Sequence, residues 1–225
     1  MAKEEKKGQL EESLEVTRKV VVGVDEVGRG CLAGPVYAAA CILNWKKLVD
    51  LPADSKLLLR DSKTLSAKQR QKALLLIKEI AVDFAISKSS PREIEELGIV
   101  FATFLAMRRS LEALSVSYDH ILVDGRDKIK GLSFDNQQAL IKGDQRTYVI
   151  SCASILAKEK RDLVMRKQAQ RFPGYGFDSH VGYGTKKHLE ALKDLGPCDL
   201  HRKNFAPITL YGRPIWTNLS SKDLV

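Results

Sequence analysis

The chain has 225 residues, enough for one substantial core with a small appendage. A hydrophobic fraction of 44% argues against disorder, and no apolar run approaches the roughly 18 residues needed to span a bilayer. The net charge of +9, from 37 basic and 28 acidic residues, favours polyanionic partners, of which nucleic acid is the commonest.

Residues 1–19 are charged and lack the apolar segment of a signal peptide, which predicts a polar, mobile extension on a cytoplasmic protein. The β-branched run Lys19–Val24 predicts a buried strand, followed by a glycine-rich turn over 28–34 and a second strand over Val36–Leu43. A polar connection spans 50–65. Ser66 is placed to cap a helix reaching about Ile80, with Leu74, Leu75, Ile77 and Ile80 as its apolar stripe. Alternation over 81–87 predicts a strand. Ser90-Pro91-Arg92-Glu93 is a capping box that opens one or two helices extending to about Leu114. Short strands are expected over His120–Val123 and Thr147–Ile150, then a long helix from about Cys152 to Gln170. A Gly- and aromatic-rich loop covers 172–185, and Thr185 caps a helix ending before Gly196. This alternation predicts an α/β domain with a mixed sheet and helices on both faces, with the last ~40 residues as a small lobe.

Cys31, Cys41, Cys152 and Cys198 form no C-x-x-C pair, so neither a zinc ribbon nor a disulfide framework is expected. The acidic residues are more informative. Asp25-Glu26 follows the first strand, Asp124 ends another, and Asp144 lies in Lys142-Gly143-Asp144. Carboxylates at strand ends converge where an α/β sheet places its ligands, and their mutual repulsion calls for hard cations such as Mg²⁺ or Mn²⁺. Such a centre hydrolyses phosphodiesters without a Ser, Cys or His nucleophile. Spacing alone also fits four solvated acids near turns. Moreover, Asp25 and Glu26 would point to opposite faces of a regular strand. Gly28-Arg29-Gly30-Cys31-Leu32-Ala33 fits the spacing of a dinucleotide fingerprint, but Pro35 and a strand follow where a helix is required. Close backbone approach to a phosphate, with Arg29 alongside, is the alternative use.

Together the segments Asp25-Glu26-Val27-Gly28-Arg29-Gly30, Asp61-Ser62-Lys63, Val123-Asp124-Gly125, Lys142-Gly143-Asp144, Ala153–Lys158, Arg161-Asp162, Gly182-Tyr183-Gly184-Thr185 and His201–Phe205 resemble, in order, the type 2 ribonucleases H, the bacterial ribonuclease HII enzymes. The likeness covers about 20–207. It implies a ribonuclease-H-like mixed sheet flanked by helices, a small C-terminal helical lobe from about residue 185, and a tail over 208–225. It implies a monomeric endonuclease that cuts the RNA strand of RNA–DNA hybrids and incises 5′ of ribonucleotides embedded in duplex DNA. The products are a 3′-hydroxyl and a 5′-phosphate, and the service is DNA repair and replication. Asp25, Glu26, Asp124 and Asp144 take the catalytic metal-ligand positions for Mn²⁺ or Mg²⁺. Gly28, Arg29 and Gly30 take the loop that reads the ribose 2′-hydroxyl, and Tyr183 the ring that stacks on the next deoxyribose. The match assigns Lys63 to phosphate. Lys158 is open between phosphate contact and an ion pair with Asp162, and His180 between assisting the leaving group and a structural role. Cys152, Val181 and Asn204 depart from the family's alanine, lysine and serine. The basic set Lys186, Lys187, Lys193, Arg202 and Lys203 would grip duplex phosphates or form a solvated face. A replication clamp is the protein partner to test, at the N-terminal extension or the C-terminal lobe. A basic binding module without catalysis is the rival reading.

Overall fold

A computed structural model describes residues 7–60, 62–132 and 136–210. In chain order the elements are α1 (Gln9–Val16), β1 (Val21–Val27), β2 (Val36–Leu43), α2 (Trp45–Asp50), α3 (Ala53–Lys56), α4 (Ala67–Ile80), β3 (Ala81–Ser89), α5 (Pro91–Glu112), β4 (His120–Asp124), β5 (Gln137–Leu140), α6 (Gly143–Arg146), α7 (Tyr148–Arg171), α8 (Phe177–His180) and α9 (Lys186–Leu195), with a final 3₁₀ turn at Ile208–Leu210. Among the described residues no helix is long and apolar enough to cross a membrane. Most of the tail expected at 208–225 lies outside the described residues.

The chain divides into two compact units. Unit 1 gathers the described parts of 1–27, 37–88 and 103–160. Its sheet has the order β3-β2-β1-β4-β5. β1 runs antiparallel to β2 and parallel to β4, and β4 runs parallel to β5. Pairing of β1 with β4 stops at Val24↔Val123, whereas pairing with β2 continues through Asp25↔Ala39 and Glu26↔Ala38. Asp25 is therefore level with Asp124, the last residue of β4, and β1 outruns its parallel neighbour by Glu26 and Val27.

α4 starts at the predicted cap. The Ser66 hydroxyl accepts from the Gln69 N–H, and the Gln69 side chain accepts from the Ser66 N–H. Its buried stripe is Ala73, Ile77 and Ile80, at helical spacing of i, i+4 and i+7, and Leu75 is 69% exposed rather than inward. Two other expectations are corrected. Residues 147–150 form no strand; Tyr148 opens α7, and the strand of this region is the unpredicted β5. The cause is close packing. A Cβ on Gly23 of β1 would lie 2.3 Å from the Val149 carbonyl carbon, so helix backbone lies directly on strand backbone. Val149 and Ile150 there join Val21, Leu122 and Leu140 in one cluster, and this burial overrides their β propensity. Residues 9–16 of the expected mobile extension form α1, whose Leu10 and Leu14 pack on the same cluster.

Unit 2 gathers 28–36, 89–102 and the described residues from 161 onward, more than the lobe expected from about residue 185. In it the capping box of α5 is formed as read, with Ser90 N–H donating to Glu93 and the Glu93 N–H to the Ser90 hydroxyl. Gly98 (φ 75°, ψ 156°) then breaks α5 into two helical stretches. Thr185 caps α9, which stops at Gly196. The core is formed by Leu32, Met165, Tyr175, Phe177, Val181 and Leu192 with their neighbours. All four cysteines are buried free thiols.

Candidate active site

β1 carries Asp25 and Glu26 in regular, paired strand. The sheet ends there on one side, because β4 terminates at Asp124, one residue past the last β1–β4 pair. Asp25 is 6% exposed. Burial pushes its carboxyl well above the ordinary range, and the charges of Glu26 and Asp124 push it further. The Ser154 hydroxyl and the Glu26 N–H, at 2.7 Å, oppose that rise by bonding to the carboxylate. Glu26 and Asp124 thus both stand within electrostatic reach of Asp25 in unit 1.

Asp144 is not a strand-end residue. It lies in the first turn of α6, after Lys142 in the left-handed region (φ 55°). The neighbouring Gly143 N–H donates to Asp124 Oδ1 at 2.7 Å, which ties the Asp144 turn to the Asp124 carboxylate. A Cβ at 143 would meet Ile150 Cδ1 at 2.6 Å and Asp124 Oδ1 at 3.3 Å, so the backbone approaches the Asp124 carboxylate closely here.

The donor set is all oxygen and mutually repulsive, which suits a hard dication. Among the described residues, no group of three or more His, Cys, Asp or Glu side chains is closed into a ready ligand cage. The fit therefore rests on charge and donor chemistry: a buried carboxylate raised by two like charges gains most from a cation.

Ser62 was missed as a supporting residue. It is buried, and its hydroxyl lies 2.9 Å from that of Ser154, the residue that bonds Asp25. Arg70 holds this segment through the Leu65 carbonyl at 2.7 Å and pairs with Glu159. The only sequence signal was the Asp61-Ser62-Lys63 block itself. Lys63 is exposed, Lys158 is half-buried, and Asp61 lies outside the described residues.

Unit 2 holds the glycine turn. Two fully buried arginines clamp it. Arg161 donates to the carbonyls of Pro35 (3.1 Å), Ala33 (3.1 Å) and Val181 (2.8 Å). Arg202 donates to those of Gly34 (2.9 Å), Arg29 (2.8 Å) and Gly28 (2.6 Å). Arg202 is therefore no duplex-gripping surface residue, and burial lowers its guanidinium to about 10. Gly28 has φ 94°, and any Cβ there would strike the Arg161 side chain. Arg29 and Gly30 are exposed.

Tyr183 is half-buried and forms an isolated bridge with Cys31, with the Arg161 guanidinium 5.7 Å from its ring centre. Burial, then Cys31, pushes its hydroxyl up to about 12, so it stays protonated. His180 is buried, with Nε2 2.7 Å from the Tyr175 carbonyl and Nδ1 accepting from Gly182 N–H, which is a structural role. Val181, in the family's lysine position, is buried in the left-handed region (φ 46°).

The family model described as Ribonuclease HII matches residues 22–208. A ribonuclease HII of Endomicrobium trichonymphae is 47% identical over 189 residues, covering 84% of this chain and 86% of the relative. The crystal structure of ribonuclease H2 from Pyrococcus horikoshii OT3 superposes with a TM-score of 0.71 at 26% identity, covering 85% of this chain and 96% of that one. Bst-RNase HIII, solved in complex with Mn²⁺, superposes with a TM-score of 0.66 at 18% identity over 85% of this chain and 68% of its own, a likeness of fold.

Proposed function

The chain belongs to the ribonuclease HII family and is an RNA–DNA hybrid endoribonuclease, and from that premise we propose that it also incises duplex DNA on the 5′ side of embedded ribonucleotides, in a reaction dependent on Mn²⁺ or Mg²⁺. The observation that carries the metal dependence is the acidic triplet of unit 1. Asp25 is buried, and the charges of Glu26 and Asp124 oppose its ionisation.

Asp25, Glu26, Asp124 and Asp144 are the residues that would hold the cations. Cations held there would lower the pKa of an attacking water and neutralise charge developing on the phosphate. The chain's own contribution is to hold the carboxylates in place. Ser154, itself bonded to Ser62, fixes Asp25, and the Gly143 amide fixes Asp124. In unit 2 the clamped Gly28–Gly30 turn reads the ribose 2′-hydroxyl, the group that distinguishes RNA from DNA at one position. Tyr183 stacks on the following deoxyribose. Lys63 and Lys158 contact phosphate. The products are a 3′-hydroxyl and a 5′-phosphate, and the service is removal of ribonucleotides from DNA.

The test is cleavage of an end-labelled DNA duplex carrying one ribonucleotide, in Mg²⁺, Mn²⁺ or EDTA, by wild type and Asp124→Asn. A metal-dependent cut 5′ of the ribonucleotide, reduced at least ~100-fold in the variant, is expected. Salt-dependent binding without cutting in either metal would leave a basic binding module instead.

A further inference from the structure

Residues 7–14, polar in sequence, reach the segment that carries Asp144. Glu11 is 3% exposed, and its Oε1 accepts from the backbone N–H groups of both Tyr148 and Val149, the latter at 3.1 Å. Those are the first two amides of α7, whose N–H groups have no partner within the helix. Lys7 Nζ donates to the Asp144 carbonyl at 2.7 Å and lies 5.2 Å from the Tyr148 ring centre. The Gly8 N–H donates to the Arg146 carbonyl at 2.9 Å, and Gly8 (φ 89°) admits no Cβ, which would fall 2.8 Å from the Tyr148 ring. Bonds from residues 7, 8 and 11 therefore land on residues 144, 146, 148 and 149. Thr147 is held in turn by its N–H to the Gly143 carbonyl at 2.8 Å, and the Gly143 N–H reaches Asp124.

We propose that Glu11, aided by Lys7, is a positioning residue for the metal-binding carboxylates: it fixes the start of α7, and through it the α6 turn that presents Asp144 and bonds Asp124. The inference rests on the reading of Asp144 as a metal ligand. A carboxylate serving helix stability alone is cheaper at an exposed cap. Here burial of Glu11 is the largest influence on its carboxyl, and its Oε2 has no hydrogen-bond partner among the described residues. A buried acid held at that cost, on the segment bearing a ligand, matches the way outer residues orient first ligands in metal sites.

The experiment compares wild type, Glu11→Ala and Glu11→Gln at a temperature where circular dichroism shows all three folded. Two readouts are taken: the Mn²⁺ concentration for half-maximal hybrid cleavage, and amide hydrogen exchange across 143–150. Glu11→Ala is expected to raise the half-maximal Mn²⁺ concentration about tenfold or more, to leave KM for the hybrid within about twofold of wild type, and to speed exchange in 143–150 without changing it in α4. Glu11→Gln keeps a carbonyl acceptor and restores most of both. A folded Glu11→Ala with wild-type metal dependence and wild-type exchange in 143–150 overturns the proposal. If wild type cleaves in no metal, the proposed function falls, and exchange in 143–150 alone decides whether Glu11 positions the Asp144 turn.

Discussion

His188 Nε2 lies 3.0 Å from His201 Nε2 inside unit 2, and their surroundings fix where the protons are. His188 Nδ1 is 2.9 Å from the Tyr183 carbonyl and must donate to it, so its Nε2 is the acceptor. His201 therefore donates from Nε2, and its Nδ1 accepts from the Cys198 N–H at 2.9 Å. We assign both rings as neutral, with opposite tautomers. A proton added to either ring would set two N–H donors face to face.

Burial pushes both imidazoles down to about 4, from near 6.5 in an unfolded chain. Between those values the unfolded chain binds protons that the folded unit refuses, so stability rises with pH across that window and is lost on acidification. The loss is on the order of 3 kcal/mol for each ring that stays neutral down to about pH 4. The check is NMR of the imidazole protons alongside urea midpoints at pH 7, 6, 5 and 4.5. Ring signals titrating near pH 6.5 in the folded protein would contradict the assignment.

Arg202→Lys tests whether the glycine turn depends on its buried clamp. A lysine can serve one or two of the three carbonyls that Arg202 now satisfies and cannot reproduce the planar fork. Leaving buried acceptors unpaired costs about 1–3 kcal/mol each, so a loss of about 2–4 kcal/mol in urea unfolding is expected. A surface arginine would show a change within about 0.5 kcal/mol.

Gly23→Ala probes the crossing of α7 over β1. The new Cβ would meet the backbone of Val149 and Ile150 at 2.3–2.6 Å, atoms that cannot move aside as a flexible side chain could. The helix must shift, at a cost of at least about 2–3 kcal/mol. Because Ser154 of the same helix bonds Asp25, cleavage should fall further than the folded fraction does. Cleavage that tracks the folded fraction alone would show that the crossing serves stability only.

The sequence exposes features whose signals are local. Ser66, Ser90 with Glu93, and Thr185 before Gly196 each announce a helix end that the structure contains. The position of Asp124 at a strand end is equally legible, whereas Asp25 and Glu26, expected just after the first strand, lie inside β1. What stayed hidden depends on distant partners. Val149 and Ile150 look like strand until Gly23 admits a helix against them. β5 begins with Gln137, polar in sequence, yet that side chain is buried and accepts the Ile129 N–H at 2.9 Å. Glu11, Arg161 and Arg202 look like surface charges because nothing nearby in sequence shows the amides and carbonyls that await them.

Gly30→Ala separates fold from substrate reading. Unlike Gly28, Gly30 has no left-handed backbone, and a Cβ there would meet nothing within 4 Å. Nothing within the described fold requires glycine at this position, so alanine should change the unfolding free energy by no more than about 0.5 kcal/mol. If the turn reads a ribose by close backbone approach, the added methyl occupies the space meant for substrate. Cleavage at a single ribonucleotide should then drop at least ~10-fold in kcat/KM, with folding intact. Wild-type cleavage by a folded Gly30→Ala would move the reading of the 2′-hydroxyl away from this glycine.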